Sequence, residues 1–282
     1  AYRDWRPDVP KEGGLPVVMF HGLTRNGTDF NALSKHLASA EGYRCVAFDV
    51  VGRGHSDYLA DATLYGYPQY VADALHALKA LELTHVHWVG TSMGGLIGIM
   101  VAAQAEHPIT LETLVLNDIG PFVPKSAVAR IASYVGVAKV FDTVEAAQAA
   151  IQANYSGFGP ATPELWREMA INSVTSVAGE EGGAPKYRLA YDIKIGEVIA
   201  AADPVDIDIW SIFEAVGCCV HLFVIRGESS DLLLPDTLME MMMRPLDGVR
   251  SRDSAVVKGA GHVPTLADAN QFAIVSRAIE HS

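Results

Sequence analysis

The stretch Val86-His87-Trp88-Val89-Gly90-Thr91-Ser92-Met93-Gly94-Gly95-Leu96-Ile97-Gly98-Ile99-Met100-Val101-Ala102-Ala103 decides the fold. Val86 to Val89 reads as a short strand, and the apolar, small-residue run from Gly95 to Ala103 reads as a buried helix. Between them stands Gly90-Thr91-Ser92-Met93-Gly94, a G-x-S-x-G pattern. A serine hydroxyl projected into open space needs a tight strand-to-helix reversal, and glycine on either side leaves room for the chain to cross itself. In a chain with 25 glycines the pentapeptide alone carries little weight. Its strand and helix flanks give it meaning as a nucleophile elbow, provided that partners follow in the correct order.

Outward from this turn, strand and helix alternate. Leu15 to Phe20 and Tyr43 to Val50 read as strands, with a helix from about Thr28 to Ala40 between them. A helix over Pro68 to Leu81, with proline near its first turn, leads to strand His85 to Val89, and Leu111 to Asn117 follows the central helix. The pattern resumes with Val220 to Ile225, Ala255 to Val257 and a closing helix from about Asp268 to Glu280. Such alternation predicts an α/β fold with a mostly parallel central sheet flanked by helices. From Gly120 to about Gly217 the strands give way to helical patterns, at Lys125 to Val135, Thr143 to Ala153, Pro163 to Ser173 and Asp206 to Val216. A structureless connection of that length does not suit a compact protein. The expected organisation is therefore a core over 1–119 and 218–282 with an inserted helical cap over 120–217. The cap aromatics Phe122, Tyr134, Tyr155, Phe158, Trp166, Tyr187, Tyr191, Trp210 and Phe213 are expected to divide between cap core and a lining above Ser92.

Composition narrows the function classes. The 282 residues, half of them hydrophobic, can bury a large core. A formal charge of −12 disfavours nucleic acid, whose binding depends on phosphate neutralisation, and no cluster of basic and aromatic residues offsets it. No long apolar run suggests a membrane span, and no basic segment before an apolar stretch suggests a signal peptide. Cys45, Cys218 and Cys219 form no disulfide framework and fit a reducing, cytoplasmic setting. There is no metal-ligand spacing, and Gly52-Arg53-Gly54 falls short of a dinucleotide fingerprint. No cofactor is expected.

A serine needs a neighbouring base to take its proton. Of ten histidines, His85 and His87 lie on one strand, and His107 and His281 fall near helix ends. His262 follows the strand-like Ala255-Val256-Val257 and the flexible Gly259-Ala260-Gly261, which places it on a loop at the carboxyl end of the sheet. It is the candidate base.

Four stretches together, Phe20-His21-Gly22-Leu23, Asp49-Val50-Val51-Gly52-Arg53-Gly54-His55-Ser56, the elbow at Ser92, and Gly259-Ala260-Gly261-His262, resemble the α/β-hydrolase superfamily, in particular its capped serine esterases, lactonases and C–C bond hydrolases. The resemblance runs from about Pro16 to Ile279. Relatives begin with an antiparallel hairpin, which here is expected to be missing or reduced to one strand near Ala1 to Trp5. The resemblance implies a Ser-acid-His order, met by Ser92, Asp231 and His262. Asp231 follows strand Val220 to Ile225 and the bend through Ser230. Two competitors for the acid are Glu228, nearer the strand end, and Asp118, just after the strand that follows the elbow. The backbone N–H groups of Met93 and Leu23 are the expected oxyanion donors, with His21 bracing their loop. Arg53 and His55 are expected in structural contacts more than at a leaving group. The expected substrate is a small or medium hydrophobic carboxylic ester or lactone, with water as the second reactant. A ring-cleavage diketone, bound with help from Arg130, Arg167 or Arg188, is the alternative. A non-hydrolytic ligand-binding role is the reading from another class.

Overall fold

The computed structural model describes residues 1–104, 106, 109–155, 157, 159, 161–178, 184–201, 203–217 and 219–280. His107, Phe158, Cys218 and His281 lie outside the described residues, as does the side chain of Cys219.

The strands of the chain are β1 (Tyr2–Trp5), β2 (Val17–Phe20), β3 (Cys45–Phe48), β4 (His85–Thr91), β5 (Thr110–Asn117), β6 (Phe122–Val123), β7 (Val140–Phe141), β8 (Val174–Val177), β9 (Lys186–Leu189), β10 (Ile207–Asp208), β11 (Cys219–Gly227) and β12 (Ser251–Val257). The helices are α1 (Asn31–Glu41), α2 (Tyr67–Ala80), α3 (Met93–Ala102), α4 (Lys125–Ala132), α5 (Val144–Asn154), α6 (Pro163–Asn172), α7 (Lys194–Ala200), α8 (Trp210–Glu214), α9 (Pro235–Met243) and α10 (Ala269–Glu280). Seven strands make one sheet in the order β1-β3-β2-β4-β5-β11-β12. Its neighbours pair in parallel except at the β1 edge, which is antiparallel to β3. The edge strand over Tyr2–Trp5 thus stands where the sequence leaves room for one strand.

Central strands buried on both faces read as continuous apolar runs, and β2, Val17-Val18-Met19-Phe20, is buried throughout. One face carries α2 and α3, where Phe20 stacks on Trp88 at 4.1 Å between ring centroids. The other carries α1 and α10. The chain moves from β2 outward to β3 and returns to β4 on the opposite side of β2. In an open parallel sheet this reversal opens a crevice at the carboxyl ends of the strands, and Gly22, Ser92, Asp118 and His262 all lie there.

Between β5 and β11 the chain builds β6 to β10 and α4 to α8. The helices expected there form, and two short antiparallel ladders accompany them: β7-β9-β8, and β10 against β6. The ladders join segments far apart in sequence, which helical periodicity cannot reveal. The insertion is tied to the core by backbone bonds from Gly54 N–H to Ala190 O (2.9 Å) and Asp192 N–H to Gly52 O (2.8 Å). Asp192 also accepts a hydrogen bond from the Tyr65 hydroxyl at 2.7 Å.

Candidate active site

Ser92 sits between β4 and α3 with φ 50° and ψ −115°, a strained conformation for any residue with a side chain. Three hydrogen bonds hold it there. Ser92 N–H donates to Asn117 O at 3.0 Å, and its carbonyl accepts from the Gly95 and Leu96 N–H groups of the first turn of α3. The flanking glycines are needed for close approach: a Cβ on Gly94 would lie 2.0 Å from Phe20 O, and one on Gly90 would lie 2.4 Å from Gly94 O.

The base follows β12. His262 Nε2 lies 3.1 Å from Ser92 Oγ, and its Nδ1 lies 2.7 Å from Asp118 Oδ2. Asp118 is fully buried and follows β5, with φ 58°, a left-handed conformation that aspartate tolerates better than most residues. Its two carboxylate oxygens are fully engaged: Oδ1 accepts from Gly227 N–H at 2.8 Å, and Oδ2 accepts from Ser230 Oγ at 2.6 Å as well as from His262. An acceptor-only partner at Nδ1 requires the proton there, so Nε2 presents its lone pair to Ser92.

The expectation of Asp231 as the partner of His262 is therefore corrected to Asp118. Asp231 is half-exposed and accepts a bidentate pair from Arg130, at 2.6 Å from Nε and 2.9 Å from Nη2. Glu228 does not reach His262 either; it accepts from Gly259 N–H at 2.9 Å and pins the loop before the histidine. What the β11 loop supplies is Ser230. Its hydroxyl donates to Asp118 and accepts from the N–H groups of Leu232 and Leu233. Asn117, also unanticipated, donates to Pro264 O at 2.9 Å and Thr91 Oγ1 at 3.1 Å, tying the His262 loop to the end of β4.

The β2 loop brings a second set of groups to Ser92. Gly22 packs against Ser92 and Thr91, a built Cβ falling 3.8 Å from Ser92 Cβ. Among the described residues the Leu23 N–H has no hydrogen-bond partner within the chain, and the Met93 N–H opens α3, where the first amides lack intrahelical acceptors. His21 fixes the peptide unit that carries the Leu23 N–H. Val50 N–H donates to His21 Nε2 at 2.9 Å, so the ring proton is on Nδ1 and is donated to Gly22 O at 2.7 Å. Burial holds the His21 ring neutral by lowering its pKa to about 4. Arg53, with no exposed surface, donates from Nε to Leu23 O and from Nη1 to Val51 O, each at 2.8 Å. It is a structural clamp on the loop, while His55 is exposed.

Two chambers meet at the Ser92 to His262 hydrogen bond. The first, of about 320 Å³, is lined by Ser92, Met93, Leu23, Leu232 and the rings of Tyr65, Tyr67 and Tyr70. The insertion contributes aliphatic side chains to it, among them Val123, Val128, Ile131, Ile195 and Ile199. None of the insertion's aromatics that are among the described residues lines it, so of the aromatic and aliphatic groups expected above Ser92 the insertion supplies the aliphatic ones here, and Tyr134 lines the chamber beside His262. The rings come instead from the segment opening α2. The second chamber, of about 380 Å³, is lined by His262, Arg130, Asp231, Tyr134, Asn154 and Ser229, with other small residues. Of the three arginines considered for polar contact only Arg130 is there; Arg167 pairs with Glu145, and Arg188 lies over the Tyr58 ring. Among the described residues no group of histidine, cysteine and carboxylate side chains is arranged to hold a metal ion, and no helix is long and apolar enough to cross a membrane.

The alpha/beta hydrolase fold family matches residues 16–150. A 3-hydroxybutyrate-oligomer hydrolase of Cupriavidus necator is 39% identical over 97% of this chain and 90% of its own. The chain belongs to the α/β-hydrolase family. This α/β hydrolase is also similar to solved structures. An alpha/beta hydrolase of Novosphingobium aromaticivorans superposes with a TM-score of 0.81 at 31% identity, covering 100% of this chain and 98% of the other. A Rickettsia typhi structure does so with a TM-score of 0.86 at 28% identity, covering 100% and 90%. The hydrolase is thus an enzyme with its family's fold.

Proposed function

We propose that this α/β hydrolase cleaves short aliphatic carboxylic esters through an acyl-Ser92 intermediate, with oligomers of 3-hydroxybutyrate as its preferred substrate class. The observation that carries the reading is the continuous Ser92, His262, Asp118 hydrogen-bond chain beside a cavity walled by aliphatic side chains and three tyrosine rings. The cavity volume, about 320 Å³, falls at the small end of ligand pockets, which run from roughly 300 to 1,000 Å³. The substrate class is supported by the name of the Cupriavidus necator relative, which matches nearly the whole chain.

In the first half-reaction Ser92 Oγ attacks the ester carbonyl as its proton passes to His262 Nε2, and the carbonyl oxygen becomes an oxyanion facing the Leu23 and Met93 N–H groups. Asp118 stabilises the imidazolium and holds its orientation. The tetrahedral species expels the alkoxide, which takes the proton from Nε2, leaving the acyl-enzyme. Water then attacks with His262 again as base, releasing the acid and restoring the Ser92 hydroxyl.

A fluorophosphonate probe is expected to label Ser92, and Ser92→Ala is expected to lose both labelling and turnover of p-nitrophenyl butyrate and of the linear 3-hydroxybutyrate dimer. Retained turnover in the alanine variant overturns the mechanism. A screen that includes lactones and ring-cleavage diketones tests the substrate class: a diketone preferred by about a thousandfold in kcat/KM, roughly 4 kcal/mol of differential transition-state binding, overturns the ester reading.

A further inference from the structure

The helix α4 and the turn after it separate the two chambers. Val128 and Ile131 face the aliphatic one, whereas Arg130, Ser133 and Tyr134 line the polar one. Spacing of three and four along a helix puts these two sets on different faces, so one short element gives the site an apolar side and a polar side that carries the Arg130 guanidinium. His262, which returns the proton to the departing alkoxide, belongs to the wall of the polar chamber. The leaving half of an ester is therefore the half nearest Arg130.

We propose that the polar chamber is a carboxylate subsite for the leaving group, with Arg130 as the specificity-determining residue and Asp231 as an internal carboxylate that competes for it. The proposal rests on the ester-hydrolase reading above. Three observations support it. The Arg130 guanidinium already holds a carboxylate in the two-point geometry such a subsite uses, through Nε and Nη2. Both partners are accessible, with side chains 39% and 48% exposed, and exposed ion pairs contribute little, so exchange of one carboxylate for another is not costly. Finally, when a linear 3-hydroxybutyrate oligomer is cut at its last ester, the leaving alcohol carries a free carboxylate two carbons from the carbinol carbon. A chain with a net charge of −12 gives such a substrate no long-range attraction, which makes a local cation necessary for its selection.

The test uses the full chain and two isosteric substrates, the linear 3-hydroxybutyrate dimer as the free acid and as the primary amide, with ester cleavage followed by chromatography. The readout is the ratio of kcat/KM for acid over amide. Arg130→Gln is expected to lower this ratio at least tenfold, chiefly through KM for the acid. Asp231→Asn, which removes the competing charge, is expected to raise it several-fold. Ratios within twofold of the unaltered enzyme in both variants, with both substrates cleaved, overturn the subsite while leaving the ester reading intact. Failure of the unaltered enzyme to cleave either dimer, while it turns over p-nitrophenyl butyrate, overturns the oligomer reading and the subsite with it.

Discussion

Asp118→Asn tests the assignment of the acid through a proton count. Gly227 N–H points at Oδ1 from 2.8 Å and can be satisfied only by an acceptor, so the asparagine carbonyl is drawn to that side. The amide NH2 then occupies the Oδ2 position, facing Ser230 Oγ and His262 Nδ1. Ser230 can accept from the amide only by giving up one of its bonds from Leu232 or Leu233 N–H, since a hydroxyl has two acceptor sites. His262 adapts only by giving up its Nδ1 proton, which moves the ring hydrogen to Nε2 and leaves no lone pair for Ser92. The fold has little reason to suffer: the left-handed φ of 58° is one that asparagine accepts, and the two side chains are nearly the same size. The expected loss in kcat is about 10⁴-fold, roughly 5.5 kcal/mol in the barrier, as for a triad locked in the wrong tautomer. The assay is burst and steady-state hydrolysis of p-nitrophenyl butyrate, with thermal unfolding as the control for folding. Asp231→Asn in the same assay is expected to keep its acylation rate within a few-fold. If Asp118→Asn acylates at more than a tenth of the normal rate while Asp231→Asn loses two orders of magnitude, the assignment is refuted.

Two further outcomes concern stability. His21 and His87 are both buried, and burial lowers the pKa of each to about 4. In the unfolded chain they titrate near 6.5, so on acidification the unfolded state takes up protons first and stability falls as pH drops from about 6.5 toward 4, by on the order of 3 kcal/mol per histidine at the bottom of that window. Urea unfolding between pH 6.5 and 4.5 is expected to show this slope, and His87→Gln to reduce it by up to about 1 kcal/mol per pH unit; an unchanged slope contradicts the assignment. Gly94→Ala forces a methyl group against Phe20 O, so a loss of at least about 3 kcal/mol, or failure to accumulate as soluble protein, is expected. A variant with normal Tm and activity would show that the elbow is not as tight as described.

Much of the site was legible because its parts are local. Ser92 lies in a turn whose glycines are adjacent in sequence, and His262 follows a strand and a glycine run. Leu23 follows His21-Gly22. The partner of His262 was not legible in this way. Asp118 and Asp231 each follow a sheet strand at a credible distance, and the choice depends on register: β5 pairs with β11 so that Asn117 lies opposite Ile225, and Asp118 N–H donates to Ile225 O. That register sets the Asp118 carboxylate under Gly227 and Ser230. The Gly-Glu-Ser-Ser-Asp sequence drew attention to its aspartate, although its contribution to the relay is the preceding serine. The partner of Asp231 is 101 residues away on α4, a contact no local pattern encodes. Which cap residues line the first chamber was not legible for a related reason, since aromatic content reports what a segment can bury and not which way each ring turns. Tyr134 lines the polar side, and Phe213 is fully buried.

The backbone bonds between Gly52 or Gly54 and the Ala190 to Asp192 segment form a seam between the core and the insertion. Lys194 adds bonds to Leu59 O and Ala60 O along the same seam, and Arg25 adds one to Ser173 Oγ. The loop that carries the Leu23 N–H, the proposed oxyanion donor, is therefore joined to the insertion, because Arg53, in the same loop as the two glycines, also grips Leu23. Widening the crevice along that seam for a bulkier ester would shift the loop that carries the Leu23 N–H. Along the opposite margin the described residues join through the half-exposed Arg130 to Asp231 pair, the Gly261 to Gly157 bond and the packing of Met169 on Val263. Arg130 and His262 line one chamber on that margin, so the side of the crevice away from the seam carries both the base and the guanidinium.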